Sequence, residues 1–560
     1  MPKFWKKHVR RTKYLGQDIA ELSKRGTTHV KTHFVGSLHK VHYVRKQVFL
    51  WFSAVAILLL MTGIQLLLWR STTSTSTSAR GGLYSEATIG DIRTLNPLFA
   101  TTNSEHAAIN LIHARLLGYD QSGHITGNLA ASWSNSTDAR EWEITLRENL
   151  TFHDGAPLTA DDIVFTVELM QNPLTHYSGQ SNWASIVATK KDDLTVAFRL
   201  PNSQASFSEQ LTFFVLPKHL LKDTPPNQLI NSDFNLNPIG AGAFMFTRIK
   251  ASSASAQIVS TARFDGFYGS ASLLNSYEIH AYPSVTDIIT GLNLASITAS
   301  AELSPADLGG ITRRNSFRER RALLSGGTYL FINTAAEQTS RLVVRQTIAA
   351  SLDLTKIRMA ADHLTPLDYP IIISRFPLNA PAIPPHTGSA HIAEPLRLLG
   401  SNRAVAEVIA EQLRAADIPV DLTVYPEGSG ALWNAIDARD YDLLLQTISL
   451  PSDPDPSQYY HSSQIGARNF SNYVSSAADI YLAAANATTD LRVRRARYEE
   501  FLREWVADIP AIGLYQSEML YVAADFATSF PESAVLVTPM SRFETANRYA
   551  TLRTTRNRTP

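Results

Sequence analysis

The sequence contains no cysteine, and this absence excludes several kinds of site at once. Without a thiol the chain has no disulfide, no thiolate metal centre and no cysteine nucleophile. The lipidated cysteine that anchors bacterial lipoproteins is excluded as well. Any attachment to a membrane must therefore come from the polypeptide itself.

Catalytic signatures are also missing from the sequence, which has no G-x-S-x-G elbow, no H-E-x-x-H helix and no Walker loop. Gly240 and Gly242 resemble part of a nucleotide loop, but no third glycine opens a helix after them. His153 and Asp154 have no second ligand at metal spacing, so turn chemistry is the favoured interpretation. We therefore predict a protein that is not an enzyme and has neither a metal nor a cofactor.

Charged side chains are absent from residues 48–69, a run of 22 positions in which Ser53, Thr62 and Gln65 are the polar residues. A helix of this length spans a hydrocarbon core of about 30 Å. The alternative is a cleaved signal peptide, but its apolar core is normally about 7–15 residues long. We therefore predict one membrane-spanning helix.

The segment before this helix, residues 1–47, contains 12 Lys and Arg but two acids. The positive-inside rule therefore predicts a cytoplasmic tail, with the rest of the chain outside. Irregularly spaced histidines in the tail favour contact with anionic lipid over metal binding. They are His8, His29, His33, His39 and His42. No folded basic platform with interleaved aromatic residues is evident, so we do not expect a nucleic-acid partner.

The remaining composition is that of a globular protein, with 44% hydrophobic and 18% charged residues over a chain of 560. This length predicts more than one domain. Residues 70–82 are rich in Ser, Thr and Gly and have no apolar face, which predicts a flexible linker between the helix and the globular part.

A strand, a turn and a capped helix follow one another within residues 141–170. Trp142, Ile144 and Leu146 alternate with polar residues, as in a strand with one buried face, and this strand is predicted to end near Leu150. Turn-forming residues occupy positions 153–157. Thr159 then precedes Asp162 by the spacing of a capping box, which predicts a helix from about Ala160.

This stretch resembles the signature of the family 5 extracytoplasmic solute-binding proteins, which deliver peptides, nickel chelates and related solutes to ABC importers. Further segments are similar to that family in the expected order. They are 89–133, 237–246, 328–357, 404–426, 439–463, 468–473 and 492–523.

The resemblance implies an α/β fold of two lobes, the type II fold of periplasmic binding proteins, with an extra inserted domain. The predicted first lobe comprises 83–110, 191–322 and 526–545, the inserted domain comprises 111–190, and the second lobe comprises 323–525. Residues 546–560 are predicted to be a C-terminal tail. The ligand would lie in a cleft between the lobes that a hinge movement closes.

The resemblance also implies where a solute would bind. Peptide-binding relatives pair the ligand's amine with an aspartate about ten residues after a Tyr-Asp pair, but an ungapped count from Tyr441 reaches Pro451. Asp453 and Asp455 follow soon after and are candidates for that role. An Asx-type turn held by the neighbouring prolines is an equally good interpretation of both residues.

Other candidate ligand-binding residues come from the same comparison. Thr102 and Asn103 match an opening loop that lines the pocket, and Tyr329 matches a strand that faces the cleft, although either position could be structural. Trp433 is a pocket candidate for which core packing is the favoured alternative. The complete predicted set is Thr102, Asn103, Tyr329, Trp433, Ser449, Asp453 and Asp455.

Two functions are consistent with this sequence. The leading hypothesis is a membrane-tethered receptor that closes on a peptide-like solute and docks on the permease and ATPase subunits of an ABC importer. The alternative is a sensory receptor that uses the same fold and signals through its single span and basic tail. The length of the tail favours the alternative, because a simple anchor needs far fewer residues.

Overall fold

The structure is a computed structural model, which describes residues 45–72, 74–251, 256–385, 389–426, 429–531 and 533–556. Contacts divide the chain into two compact units, and the larger spans Ser78–Arg553. The smaller contains the described residues that precede Ser78 and those that follow Arg553. Each unit is described by itself.

The smaller unit contains a helix over Arg45–Thr72. Its apolar side chains between Phe49 and Ile64 are largely exposed. Among the residues that the structure describes, no helix has the length and apolarity needed to cross a membrane. The span predicted over 48–69 includes side chains outside the described part, and residues 1–44 of the predicted tail also lie outside it.

A strand over Ser74–Ala79 occupies much of the predicted linker 70–82. The linker prediction rested on the absence of an apolar face, but threonine is β-branched and favours extended backbone. The predicted C-terminal tail 546–560 likewise contains a strand, Ala550–Arg556, which pairs antiparallel with Ala527–Thr528.

An eleven-stranded sheet runs through both lobes of the larger unit. Two long antiparallel strands at its centre, Phe317–Ile332 and Ala511–Ala524, connect the lobes, and we call them the crossing strands. Their pairing is irregular between Leu323 and Gly327, where the register shifts. The register shifts again between Thr328 and Tyr329. The lobes therefore meet where the ladder is interrupted, which is where a hinge can bend.

The other strands lie on either side of the crossing strands. The first lobe contributes Ala299–Ser300, Leu83–Ile89, Ser276–Tyr282, Gln257–Arg263 and Phe244–Ala251, in spatial order away from the centre. The second lobe contributes Leu443–Ser449, Leu396–Gly400 and Val420–Val424. The short strand Val535–Leu536 pairs with the first crossing strand.

The inserted domain has its own four-stranded antiparallel sheet, in the order Ala130–Asn135, Glu141–Leu146, Thr195–Arg199 and Val187–Lys190. The predicted boundary at 190 falls inside this sheet, because Thr195–Arg199 pairs with Glu141–Leu146. Its apolar core also continues beyond that boundary, as far as Ala241. A hairpin of Leu117–Tyr119 and Ile125–Gly127 precedes the sheet.

The helix of the signature stretch spans Ala160–Gln171, and its predicted capping box is present. The Thr159 amide donates to Asp162 Oδ2 at 2.9 Å. The strand before it ends at Leu146, four residues earlier than predicted. Gly155 has φ +85°, a conformation that glycine adopts without strain.

The remaining helices cover the sheets. In the first lobe and inserted domain they are Asn103–Ile112, Gln180–Trp183, Phe207–Gln210, Lys218–Leu221 and Val285–Asn293. In the second lobe they are Leu342–Ala350, Leu354–Ala361, Arg403–Ala415, Gly430–Ala438, Ser457–Tyr460, Ser476–Asn486 and Leu491–Asp508. Short 3-10 helices cover Pro173–Thr175, Pro226–Asn231, Asp233–Asn235, Pro305–Gly310, Arg314–Ser316, Ser462–Gln464 and Pro539–Arg548.

A buried ion pair lies in the core of the first lobe. Arg542 Nε is 2.6 Å from Glu86 Oε1, and both side chains are fully buried. The hydroxyls of Tyr277 and Tyr521 donate to the other oxygen of Glu86, the latter at 3.0 Å. Since Tyr521 is on the second crossing strand, this network fixes that strand to the first lobe.

Gly513 on the second crossing strand gives a test of how closely the second lobe packs on it. A Cβ at this position would lie 2.0 Å from the backbone oxygen of Leu367. We expect Gly513→Ala to lower the free energy of unfolding by about 1–3 kcal/mol, because backbone atoms must move apart. Urea unfolding followed by tryptophan fluorescence measures the change.

Gly309→Ala is the matched control, because a Cβ there meets no atom within 4 Å. Its free energy of unfolding should stay within about 0.5 kcal/mol of the parent value. Equal unfolding midpoints for the two variants would contradict the close packing at Gly513.

Candidate functional site

The lobes face each other where the loop 449–456 of the second lobe meets the inserted domain. Glu209 of the inserted domain connects them. Its Oε2 accepts a hydrogen bond from the Tyr119 hydroxyl at 2.8 Å. Its Oε1 accepts from the Ser452 hydroxyl at 3.3 Å and from the Asp453 amide at 3.2 Å. One carboxylate thus joins two parts of the inserted domain to the second lobe.

The position of Glu209 depends on the signature strand. Glu209 is on the short helix Phe207–Gln210, and Phe207 is fully buried. The Phe207 ring makes edge contacts with Trp142 at 5.6 Å and with Phe198 at 5.7 Å between centroids. Aromatic packing against the inserted sheet therefore holds the carboxylate toward the second lobe.

Asp453 forms an ion pair within the second lobe. Its Oδ1 is 2.6 Å from an Nη2 of Arg494, whose side chain is 3% exposed. The same nitrogen donates to the Pro454 carbonyl at 3.3 Å, and the Tyr498 hydroxyl donates to that carbonyl at 2.6 Å. The helix Leu491–Asp508 therefore holds this loop in place.

Asp455 makes the Asx-type turn that was one of its two predicted roles. Its Oδ1 accepts from the Ser457 amide at 3.2 Å and from Asn486 Nδ2 at 3.0 Å. Its Oδ2 accepts from the Ser206 hydroxyl of the inserted domain at 3.5 Å. Both acids of the loop already have protein partners, and Asp455 also contacts the opposite side.

Arg375 approaches the same region from the second lobe. Its Nη2 donates to the carbonyl oxygens of Ser122 and Gly123, at 3.1 and 2.5 Å, in the hairpin turn of the inserted domain. Its Nε and Nη1 atoms are buried and have no hydrogen-bond partner among the described residues. Burial lowers the pKa of this guanidinium, and the nearby Glu209 and Asp120 raise it.

Burial dominates the electrostatics of the two acids at this contact. It raises the pKa of Glu209, although the hydrogen bonds from Asp453, Tyr119 and Ser452 lower it in part. Burial likewise raises the pKa of Asp453, and Arg494 opposes that shift. The contact therefore keeps two carboxyl groups away from water, which disfavours their charged forms.

The structure places the predicted residues of the first lobe on the surface. Thr102 caps the helix Asn103–Ile112 through a capping box with Glu105, which is a structural role. Asn103 is exposed, and its Nδ2 donates to both oxygens of Glu302 at 3.1 Å. Asn103 remains a predicted ligand contact.

The predicted residues of the second lobe are divided between core and surface. Tyr329 is fully buried and donates to the Tyr369 carbonyl at 2.7 Å, so it does not face a cleft. The strand around it is covered on both faces, which the strand pattern did not reveal. Trp433 is 45% exposed, so core packing is wrong and its pocket role stays a prediction. Ser449 is exposed at the end of its strand.

Glu209, Tyr119 and Arg375 were not predicted from the sequence. Glu209 contacts residues 243 and 244 positions away along the chain. Its one local signal is that it is the single charged residue in the segment 205–216. Such a residue needs a polar partner when buried, but the sequence does not say which one.

The raised pKa of Glu209 predicts a pH-dependent stability. The usual pKa of 4.5 applies to the unfolded chain and the folded value is higher. Protonated Glu209 therefore stabilises the fold fully at a pH below its unfolded-state pKa. This stabilisation is lost as the pH rises through its folded-state pKa. Glu209→Gln keeps the shape without the charge. At a pH above the folded-state pKa of Glu209, we expect the urea midpoint of Glu209→Gln to exceed that of the parent protein. The difference between the two midpoints should narrow as the pH falls.

Urea unfolding of both proteins between pH 4 and pH 8 measures this difference. Glu411→Gln, at an exposed position on the helix Arg403–Ala415, is the control. A difference between parent and Glu209→Gln that does not change with pH would contradict the buried, titrating carboxyl.

Comparison with known proteins agrees with the fold. Residues 124–401 match the family described as bacterial extracellular solute-binding proteins, family 5 Middle. The oligopeptide-binding protein AppA of Bacillus subtilis is 24% identical over 482 residues, which cover 78% of this chain and 86% of that protein.

Solved structures of similar fold cover most of the chain. The ABC transporter substrate-binding protein CtaP of Listeria monocytogenes has a TM-score of 0.72 at 21% identity, over 84% of this chain and 99% of that one. NikZ of Campylobacter jejuni, solved with Ni(L-His), has a TM-score of 0.67 at 22% identity, with the same coverage of both chains. The chain belongs to family 5 of the bacterial extracellular solute-binding proteins, which are binding proteins of ABC transporters and not enzymes.

Proposed function

We propose that this protein captures a peptide-like solute between its lobes, outside the cytoplasm, and delivers it to the permease and ATPase subunits of an ABC importer. The observation that carries this proposal is the polar character of the contact between the lobes. Glu209 and Arg375 cross it through hydrogen bonds, and two buried nitrogens of Arg375 have no hydrogen-bond partner in the described part of the chain. A polar solute that enters here can satisfy them.

The similar proteins support the choice of solute class. The Bacillus subtilis relative is named an oligopeptide-binding protein, and its structure was solved with a nonapeptide. A peptide offers a carboxylate, which can accept a charged hydrogen bond from an N–H of Arg375 that has no partner among the described residues. Its main-chain groups can hydrogen-bond at Asn103 and Ser449, both exposed, while the exposed Trp433 offers an apolar surface.

An amine of the solute has a restricted choice of partner. Asp453 already pairs with Arg494, and Asp455 already accepts from Asn486 and Ser457. A carboxylate has about four acceptor positions, so either acid can accept an additional donor without losing its present one. We infer that a solute amine would bind Asp453 together with Arg494 and would not displace Arg494.

The chain outside this module supports a membrane anchor. Residues 48–69 contain no charged side chain, and a basic segment precedes them. We infer that this segment spans the membrane with residues 1–47 in the cytoplasm. Such an anchor keeps the binding module near its permease without a lipidated cysteine.

Ligand capture is tested on the module Ser78–Arg553, which forms a compact unit of its own. Native mass spectrometry should show a co-purified solute, and a mixture of short peptides should raise the melting temperature of the stripped module. We expect Arg375→Gln to weaken peptide binding about tenfold or more, because a charged hydrogen bond contributes about 1.5–3 kcal/mol.

Arg199→Gln is the control for that variant, since this arginine is 75% exposed on the inserted sheet. It should bind peptides like the parent module. A module that carries no solute and ignores every peptide mixture would refute the proposed solute class. Turnover of a peptide or ester by the purified protein would refute the assignment as a binding protein.

The anchor is tested by fractionation of cells that express the full chain. We expect the full chain to stay with membranes after alkaline carbonate extraction, because an apolar span is not removed by charge disruption. A chain that begins at Leu83 should appear in the soluble fraction. Extraction of the full chain by carbonate would contradict the anchor, and co-purification of permease and ATPase subunits tests the importer partnership separately.

A further inference from the structure

Two adjoining chambers lie between the inserted domain and the first lobe. The hairpin in their wall also contacts the second lobe, because Arg375 donates to the Ser122 carbonyl. The outer chamber has a volume of about 460 Å³. Its wall is formed by the hairpin residues 119–122 and 126–128, the loop 267–270 and the turn 544–548. The inner chamber holds about 30 Å³, the room of one water molecule or one hydroxyl group. Asn128, Tyr268 and Glu544 belong to both walls.

The inner chamber concentrates buried polar atoms that lack hydrogen bonds. Nδ1 of His113, Nε of Arg115 and Oε1 of Glu544 are all buried and without a partner among the described residues, and all three side chains line this chamber. Arg115 Nε and Glu544 Oε1 are 3.0 Å apart, but they lack hydrogen-bond geometry. A buried polar atom without a hydrogen bond destabilises the fold, so three in one chamber call for a group that bonds them.

The charges around this chamber already compensate each other. Arg115 also donates to the Thr212 carbonyl at 2.6 Å and to Asn110 Oδ1 at 3.1 Å. Glu544 Oε2 accepts from Asn128 Nδ2 at 3.0 Å. The ion pair is therefore held in place from both sides and contributes no net charge.

His113 supplies an acceptor. Its Nε2 lies 3.1 Å from the Leu95 carbonyl, so this nitrogen carries the proton and Nδ1 has a free lone pair. Burial lowers the pKa of His113 to about 3, with a further contribution from His153. The imidazole is therefore neutral under physiological conditions.

The outer chamber adds an aromatic wall. The rings of Phe267 and Tyr268 lie 4.3 Å apart between centroids, and the Arg147 guanidinium is 5.8 Å from the Tyr268 ring. No hydrogen bond to the Tyr268 hydroxyl is found in the described part of the chain. A ring face beside free hydroxyl and amide groups suits a ligand with both C–H and O–H surfaces.

We propose that these chambers bind a neutral polyhydroxylated molecule of monosaccharide size, with one hydroxyl group in the inner chamber. A hydroxyl donates to His113 Nδ1 or Glu544 Oε1 and accepts from Arg115 Nε at the same time. A carboxylate would face Glu544, and an ammonium group would face Arg115. The volume of the outer chamber is within the usual range of small-molecule sites, about 300–1,000 Å³.

The site is tested on the full chain with D-glucose and D-sorbitol as probes, by saturation-transfer difference NMR and calorimetry. We expect saturable binding of at least one of these probes. Tyr268→Phe should weaken it about fivefold, because one neutral hydrogen bond contributes about 1 kcal/mol. Ser270→Trp, which adds bulk at an exposed position of the outer wall, should abolish it.

Tyr177→Phe is the matched control, since it removes the hydroxyl of another partly buried tyrosine that lines a different cavity. Its affinity for the probes should equal that of the parent. Absence of saturable binding by either probe would overturn the proposal. So would binding that Tyr268→Phe and Ser270→Trp leave unchanged, or a Tyr268-dependent preference for acetate or methylammonium.

The result is independent of the proposed solute. Peptide binding between the lobes should be the same in the parent protein and in Tyr268→Phe, with and without D-glucose. A protein that binds polyols but no peptide would refute the proposed solute and support this site. A protein that binds peptide but no polyol would support the proposed solute and refute this site.

Discussion

The crossing strands are the constraint on which the rest of the molecule depends, and the buried pair of Glu86 and Arg542 holds one of them in place. Removing either partner of such a pair typically costs about 3–5 kcal/mol, because the other charge is left buried alone. The Tyr521 hydroxyl bonds Glu86, so the second crossing strand cannot shift without breaking this network. We therefore expect the lobes to move where the pairing of the crossing strands is irregular, between Leu323 and Gly327 and between Thr328 and Tyr329.

The contact between the lobes has the opposite character. Each lobe has an extensive apolar core, but the hydrogen bonds between the second lobe and the inserted domain include those of three charged side chains, Glu209, Asp455 and Arg375. An apolar contact would hold the lobes together at no cost in desolvation, whereas these groups lose hydration on closing and regain it on opening. This balance suits a receptor that must both close on a solute and release it.

The sequence predicted local features better than long-range ones. The alternation at Trp142 and the capping box at Thr159 depend on neighbouring residues, and both are present. The limits of the inserted domain failed at residue 190 because strand pairing with Thr195–Arg199 has no local signal. Tyr329 was misplaced because an apolar strand covered on both faces has the same sequence pattern as one that borders a cleft.

The candidate site shows why motif spacing was a poor guide to its chemistry. The spacing from Tyr441 pointed to Asp453 or Asp455 as the replacement for the expected acid. Whether either acid can bind an amine depends on partners far away along the chain. Arg494 already pairs with Asp453, so a solute amine would have to share that acid, whereas Arg375 has N–H groups without hydrogen-bond partners within the described residues. For the proposed function, the carboxylate of a peptide solute therefore has a better-supported partner than its amine.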